Sequence, residues 1–241
     1  MNDIVEDIPK FNVQDIPSSS FNLFLGKRRS GKSVIVEFMI KEMIDNQMLD
    51  LVFLFSKTDA GFETVIKDKK FRFTNIDAMF ELISNYRLMN EYNKLVNKNK
   101  KIRLRTAIII DDFSIELKQK KFNILEDLSV RGRHLSYHPL SLHFFILSQS
   151  LTKVPRTCRL NLDILFFNSI ASMKELELIL CEYFYVINSS RAGRIEGRRI
   201  YEHLVQQGDF TFVGILNFRQ NCTKYSDYLT VYKADMTALN Q

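Results

Sequence analysis

The chain has 241 residues, 46% of them hydrophobic and 26% charged, with a formal net charge of +6 and a sequence pI near 9.1. That describes an ordinary soluble globular protein with room for one sizeable core and no need of a second domain; the mild basicity fits a polyanionic partner without requiring one. Cys158, Cys181 and Cys222 are scattered and lack C-x-x-C spacing, and the four histidines show no H-x-x-x-H pattern, so reduced thiols in a cytosolic setting are expected rather than disulfides or a zinc site. No run of about 18 apolar residues is present, and the acidic, polar N-terminus has no charged-then-apolar signal pattern, so neither a membrane span nor a leader is expected.

In chain order, residues 1–20 are polar, carry Pro9 and Pro17, and read as an arm leading into a sheet. Phe21–Leu25 is the first predicted strand. It runs directly into Gly26-Lys27-Arg28-Arg29-Ser30-Gly31-Lys32-Ser33, a match to G-x-x-x-x-G-K-[ST]. A helix-like run, Val34 to Ile44, follows. A loop turning tightly between a strand and a helix N-terminus aims several backbone N–H groups into one concavity, and the helix dipole adds positive potential there. Gly26 and Gly31 allow backbone angles and approach that a Cβ would forbid. Lys32 would reach the β- and γ-phosphates of a nucleoside triphosphate, and the Ser33 hydroxyl would bind Mg²⁺.

Leu51–Phe55 is a continuous apolar run and reads as a buried parallel strand. A short strand-like piece, Phe71–Thr74, precedes a long predicted helix from about Asp77 to Asn97, then a basic stretch from Lys94 to Arg105. Thr106-Ala-Ile-Ile-Ile-Asp111-Asp112 is an apolar strand ending in two carboxylates. Beside a P-loop such a strand supplies the carboxylate that holds Mg²⁺. Asp111 would take that position, and Asp112 would polarise the attacking water. Two adjacent carboxylates at the end of a buried strand are costly to bury without a cation. The strand is expected to lie next to the P-loop strand.

A helix from about Lys118 to Val130 leads to Arg131-Gly132-Arg133-His134. The strand Leu142–Leu147 ends in Ser148-Gln149, whose amide could sense the γ-phosphate. Asp163–Phe167 is a fifth strand and Ser172–Phe184 a helix. The remainder reads as a basic loop (Arg191 to Arg199), a helix (Arg198–Gln207) and two strands, Phe210–Phe218 and Tyr228–Tyr232, pairing at a sheet edge. Charge that grows on the γ-phosphate during transfer calls for a cation, often an arginine from a neighbouring subunit. Arg133 and then Arg156 are the candidates, with Arg131 and Arg159 behind them.

The succession Gly26-Lys-x-x-Ser30-Gly-Lys-Ser33, Ile-Ile-Asp111-Asp112, Gly132-Arg133-His134, Ser148-Gln149, Val154-Pro155, Arg159-Leu-Asn161 and Ile164-Leu-Phe-Phe-Asn168 resembles the DNA-packaging ATPases of poxviruses, other large DNA viruses and virophages, within the FtsK–HerA superfamily. The resemblance spans about residues 18–185. It implies an ATPase using ATP and Mg²⁺, assembled as a homo-oligomeric ring that drives double-stranded DNA into a preformed capsid, in the host cytoplasm or the virion. It also implies capsid components as partners, Lys32 and Ser33 on nucleotide and metal, Asp111 and Asp112 as the acidic pair, and Gln149 as sensor. Where the family often carries Asp-Glu, this chain has Asp111-Asp112.

The fold class expected is a three-layer α/β P-loop NTPase of the RecA/ASCE kind, with a mainly parallel sheet and a C-terminal strand pair at its edge. One domain is expected: arm 1–20, ATPase core 21–185, C-terminal helix and strands 186–241. Lys94–Arg105 and Arg191–Arg199 are candidates for gripping DNA phosphates, since a motor on a track of varying sequence should hold backbone rather than bases. A nucleoside or nucleotide kinase, or a nucleotide-dependent assembly switch, are the other readings. The first would want an arginine-rich lid and an acceptor pocket, neither of which is identifiable; the acidic pair and Gln149 speak against the second.

Overall fold

The computed structural model of the chain describes residues 8–58, 61–111, 113, 125–126, 129–130, 140–184, 191–206, 208 and 210–234. Asp112, most of the predicted helix Lys118–Val130, and Arg131–His134 lie outside the described residues. Eight strands, β1 (Ser20–Leu25), β2 (Leu51–Ser56), β3 (Arg72–Phe73), β4 (Leu104–Asp111), β5 (Leu140–Ser148), β6 (Ile164–Phe167), β7 (Thr211–Leu216) and β8 (Leu229–Lys233), form one sheet in the order β3-β2-β4-β5-β1-β6-β7-β8. The six strands from β3 to β6 in that order are parallel. β7 runs antiparallel to β6, and β8 antiparallel to β7, which is the expected strand pair at the edge.

Side chains along each strand alternate between two apolar clusters, which is why the strands read as continuous hydrophobic runs rather than as a polar alternation. Phe24, Ile109, Phe145 and Phe166 pack with Ile35, Val36, Met39 and Ile40 of helix α1 (Lys32–Asp45) and with Phe11 and Val13 of the arm. Leu23, Ile108, Phe144 and Leu165 face the other way. They pack with Ile83 and Tyr86 of α2 (Asp77–Leu95), Ile179 and Leu180 of α4 (Met173–Tyr183), and Ile200 and Leu204 of α5 (Arg191–Val205). The short helix α3 (Arg156–Leu160) joins β5 to β6, and a single turn, α6 (Tyr225–Tyr228), precedes β8. The result is three layers, helices on both faces of a mostly parallel sheet.

Three expectations are corrected. The acidic strand β4 does not adjoin the P-loop strand β1, because β5 lies between them. An apolar run encodes that a strand is buried but not which strand it borders. The arm does not merely lead into β1. Its segment Pro9–Phe11 lies along β8, with Phe11 N–H donating to Val231 O at 2.8 Å and Val231 N–H to Pro9 O at 3.0 Å, so it covers part of an otherwise open sheet edge.

The third correction concerns the basic loop. Arg191–Arg199 is the first part of α5, not a loop. Gly193 and Gly197 are both buried on the inner face with Ile200, Tyr201 and Leu204. A Cβ at Gly197 would come within 2.7 Å of the Phe184 ring and 3.1 Å of Leu180. The glycine thus lets α5 lie close against α4, and burial outweighs its poor helix propensity.

Candidate nucleotide site

The P-loop leaves the carboxyl end of β1, at the place where the chain's strand order departs in both directions, toward β5, β4, β2 on one side and β6 on the other. Open α/β sheets form their ligand crevices at such a switch point. Both neighbours hold the loop: Gly26 N–H donates to Ser148 O of β5 at 3.3 Å, and Lys27 N–H to Ser169 O, beyond β6, at 3.1 Å. Ser30 N–H closes the turn on Lys27 O at 3.2 Å. Arg29 (φ 63°) and Gly31 (φ 84°) both take left-handed backbone to complete it. A Cβ on Gly26 would meet Ser30 Oγ at 2.4 Å and the Asn168 carbonyl oxygen at 2.7 Å, so only glycine fits.

The concavity is suited to an anion. Helix α1 begins at Lys32 on Gly31 with no side-chain cap, leaving first-turn N–H groups for a ligand. The Lys32 ammonium donates to the carbonyl oxygens of Gly26 at 2.8 Å and Lys27 at 3.0 Å. It is thereby held over the loop where a phosphate chain would lie. Ser30 Oγ is buried and has no hydrogen-bond partner among the described residues, a polar atom that a bound phosphate oxygen would satisfy. Lys27, Arg28 and Arg29 are exposed on the outside of the turn.

Ser33 Oγ donates to Asp111 Oδ2 at 3.2 Å. Strand register explains the meeting: Leu25 pairs with Ser148, and Asp111 with Leu147, so the ends of β1, β5 and β4 share one rim. Gln149, half-buried, is the next residue after β5 on that rim. A hydroxyl and a carboxylate offer the hard oxygen ligands that Mg²⁺ takes when phosphates and waters complete its shell. No cluster of three or more His, Cys, Asp or Glu exists among the described residues, so an ion here would depend on the nucleotide for further ligands.

The arginines separate. Arg159 is tied within its own chain, its Nη1 within 2.6 Å of Glu182 Oε2 and with Tyr183 OH donating to its carbonyl oxygen at 2.9 Å. Arg156, the first residue of α3, is exposed. In the basic stretch, Lys94 pairs with Glu91 at 2.7 Å and Arg105 binds Asp50 through two nitrogens at 2.6 and 2.9 Å. That guanidinium holds the Asp50 carboxyl below its ordinary range. Lys98, Lys100 and Arg103 are exposed and lead into the amino end of β4, the rim opposite the P-loop. In α5, Arg198 pairs with Glu202 at 2.8 Å, while Arg191 and Arg199 are exposed.

Sequence reasoning assigns no role at the site to two of its supports. The loop after β6 (Asn168, Ser169) buttresses Gly26 and Lys27. The Phe210 ring, at the start of β7, sits against Gly31, where a Cβ would lie 2.3 Å from its Cδ1. Asn168 closes the run Ile164-Leu-Phe-Phe-Asn168, which carries no signal for this role, and no spacing marks Phe210.

Sheet order and site together define a P-loop NTPase in which an extra strand, β5, separates the phosphate loop from the acidic strand. Residues 8–192 match the family model Pox_A32, described as poxvirus A32 protein, and the chain belongs to that family. The resemblance to viral genome-packaging ATPases drawn from the motifs is thereby borne out. Among solved structures, the genome packaging NTPase B204 from Sulfolobus turreted icosahedral virus 2 is similar. Its sulfate complex has a TM-score of 0.61 at 13% identity, over 92% of this chain and 99% of that one. Its complex with ATP-gammaS gives 0.58 at 14%, over 92% and 100%. The pCW3 conjugation coupling protein TcpA with ATPgS gives 0.58 at 14%, over 96% of this chain and 71% of that one. At such identities the likeness bears on the fold. No curated protein sequence matches the chain. Among the described residues no helix is long and apolar enough to cross a membrane.

Proposed function

We propose that this chain is an Mg²⁺-dependent ATPase that works as a homo-oligomeric motor, moving double-stranded DNA into a viral capsid. The observation that carries the reading is the Ser33–Asp111 hydrogen bond at the rim of an uncapped P-loop helix, in a chain of the poxvirus A32 family. The P-loop N–H groups and Lys32 would bind the triphosphate, with Lys32 exchanging loop carbonyls for phosphate oxygens. Ser33 and Asp111 would hold Mg²⁺, which when bound neutralises charge on the β- and γ-phosphates. Asp112 would orient the attacking water and accept its proton. Gln149, at the end of the strand between loop and acid, would hydrogen-bond the γ-phosphate and transmit its loss along β5. An arginine from the neighbouring subunit, Arg133 or Arg156, would meet the charge that grows on the γ-phosphate.

The domain scheme fits one motor unit: arm 1–20, core 21–185 and C-terminal segment 186–241. Lys98, Lys100, Lys101 and Arg103 would hold DNA phosphates on the rim away from the nucleotide, so the two ligands would not compete for one surface. The setting would be the host cytoplasm or the virion, with capsid components as further partners.

Steady-state hydrolysis tests this. At low salt the wild type should turn over ATP faster with double-stranded DNA than without. The stimulation should fade steeply as salt rises, because counterions released on binding compete again. Equal rates with and without DNA at low salt would remove the motor reading.

A further inference from the structure

The P-loop has two sides, and the Mg²⁺-binding and sensing groups occupy only one. Asp111 and Gln149 lie toward β4 and β5; the loop's other flank, at Lys27, is tied to Ser169 beyond β6. A nucleoside triphosphate with its γ-phosphate near Asp111 must extend its nucleoside the other way, over β6 and toward β7. Because β7 is antiparallel, with Phe167 pairing with Val213, its first residues return to the same rim as the P-loop.

Phe210 stands at that point. Its ring lies against Gly31, with Cδ1 and Cε1 at 2.3 and 2.7 Å from where a Cβ would be. It is half-buried, its inner side packed on the cluster that contains Val36 and Met39. The residue takes a left-handed backbone, φ 56°, which a bulky aromatic side chain rarely does. Such strain persists where surrounding structure imposes it, and it is concentrated at ligand clamps. The ring packs on the core with one part and leaves another part exposed, on strained backbone, beside the phosphate loop and on the flank opposite Asp111.

We infer that the Phe210 ring is the platform on which the base of the bound nucleotide stacks, an assignment that rests on the P-loop binding a nucleoside triphosphate. Every base has a π-face, so the ring contributes affinity with little selection between purines. Specificity would be for a nucleotide over a bare polyphosphate.

The test is calorimetric binding of MgATP and of magnesium tripolyphosphate to wild type, Phe210→Leu, Phe210→Trp and Lys32→Ala. Leucine keeps apolar bulk on Gly31 and removes the π-face. Phe210→Leu should weaken MgATP by about five- to a hundredfold, the span of one base–aromatic stack, and leave tripolyphosphate binding within about twofold of wild type. Phe210→Trp should retain MgATP affinity. Equal weakening of both ligands would make Phe210 a support for the loop and overturn the inference. So would unchanged MgATP affinity in Phe210→Leu while Lys32→Ala abolishes it. If wild type bound neither ligand, or Lys32→Ala changed nothing, the nucleotide reading itself would fall, a result distinct from the other two.

Discussion

The Ser33 hydroxyl reaches Asp111 Oδ2 at 3.2 Å although β1 and β4 are not neighbours. The last residues of β5 lie between their strands, so Gln149 stands beside a pair that would hold the metal. In the proposed mechanism, a change in γ-phosphate occupancy would be felt first by the strand that links loop to acid.

If Ser33 and Asp111 share one Mg²⁺, their removal should not be additive. Ser33→Ala and Asp111→Asn should each raise the Mg²⁺ needed for half-maximal ATP hydrolysis by about 10–100-fold. The double variant should fall short of the summed losses by about 0.5–3 kcal/mol. Magnesium titrations of ATPase rate in the four proteins provide the check, and strict additivity would separate the two residues.

Gly26→Ala places a methyl group against the Asn168 backbone oxygen, 2.7 Å away, and main chain cannot swing aside as a flexible side chain can. The loop should shift, lowering nucleotide affinity by about tenfold or more, equivalent to about 1.4 kcal/mol. The thermal midpoint should drop by only a few degrees, about 2–4 °C per kcal/mol for a chain of this size. Calorimetry and thermal melts of the variant measure both.

Arg159 and Arg156 should behave oppositely. The Arg159–Glu182 pair is largely enclosed, with side-chain exposures of 12% and 20%, so Arg159→Ala leaves a carboxylate without its partner and should cost about 3–5 kcal/mol of stability. Arg156→Ala, at an exposed position, should leave the unfolding free energy within about 0.5 kcal/mol of wild type. Arg156→Ala lowers turnover only if Arg156 rather than Arg133 serves the neighbouring site, and mixing it with Lys32→Ala protein reads out that service in trans.

His143 is buried between β1 and β4 and shares a hydrogen bond with Ser20 Oγ at 2.9 Å. Burial lowers its pKa to about 4, from 6.5. Between those values the unfolded chain binds a proton at this imidazole that the folded chain does not. Stability should thus be fully present above pH 6.5 and decline as pH falls toward 4, by on the order of 3 kcal/mol. Urea titrations at pH 7, 6 and 5 should show a steeper loss in wild type than in His143→Gln; parallel curves would contradict the assignment.

How far the sequence discloses this protein depends on what each residue encodes. The Gly26–Ser33 loop and the sequence pair Asp111-Asp112 are local patterns, legible because phosphate and Mg²⁺ binding demand fixed residue types at fixed spacing. Burial on both faces of the sheet is equally legible in runs such as Leu51–Phe55. The lateral insertion of β5 is not, because strand order depends on crossover connections rather than on any strand's composition. The loop expected over Arg191–Arg199 fails for a related reason: nothing in the segment shows that Gly197 admits a neighbouring helix until the neighbour, Phe184, is placed. Phe210 carries no motif at all, and only the antiparallel return of β7 brings it to Gly31.

The claim that ATP turnover at this P-loop moves the protein along duplex DNA is met most directly by displacement of a triplex-forming oligonucleotide from a DNA duplex. With Mg²⁺ and ATP the wild type should release the third strand. It should not do so with ATP-gammaS, and Lys32→Ala should not do so with ATP. Brisk DNA-stimulated hydrolysis with the third strand left in place would contradict translocation and leave an ATPase that only binds DNA.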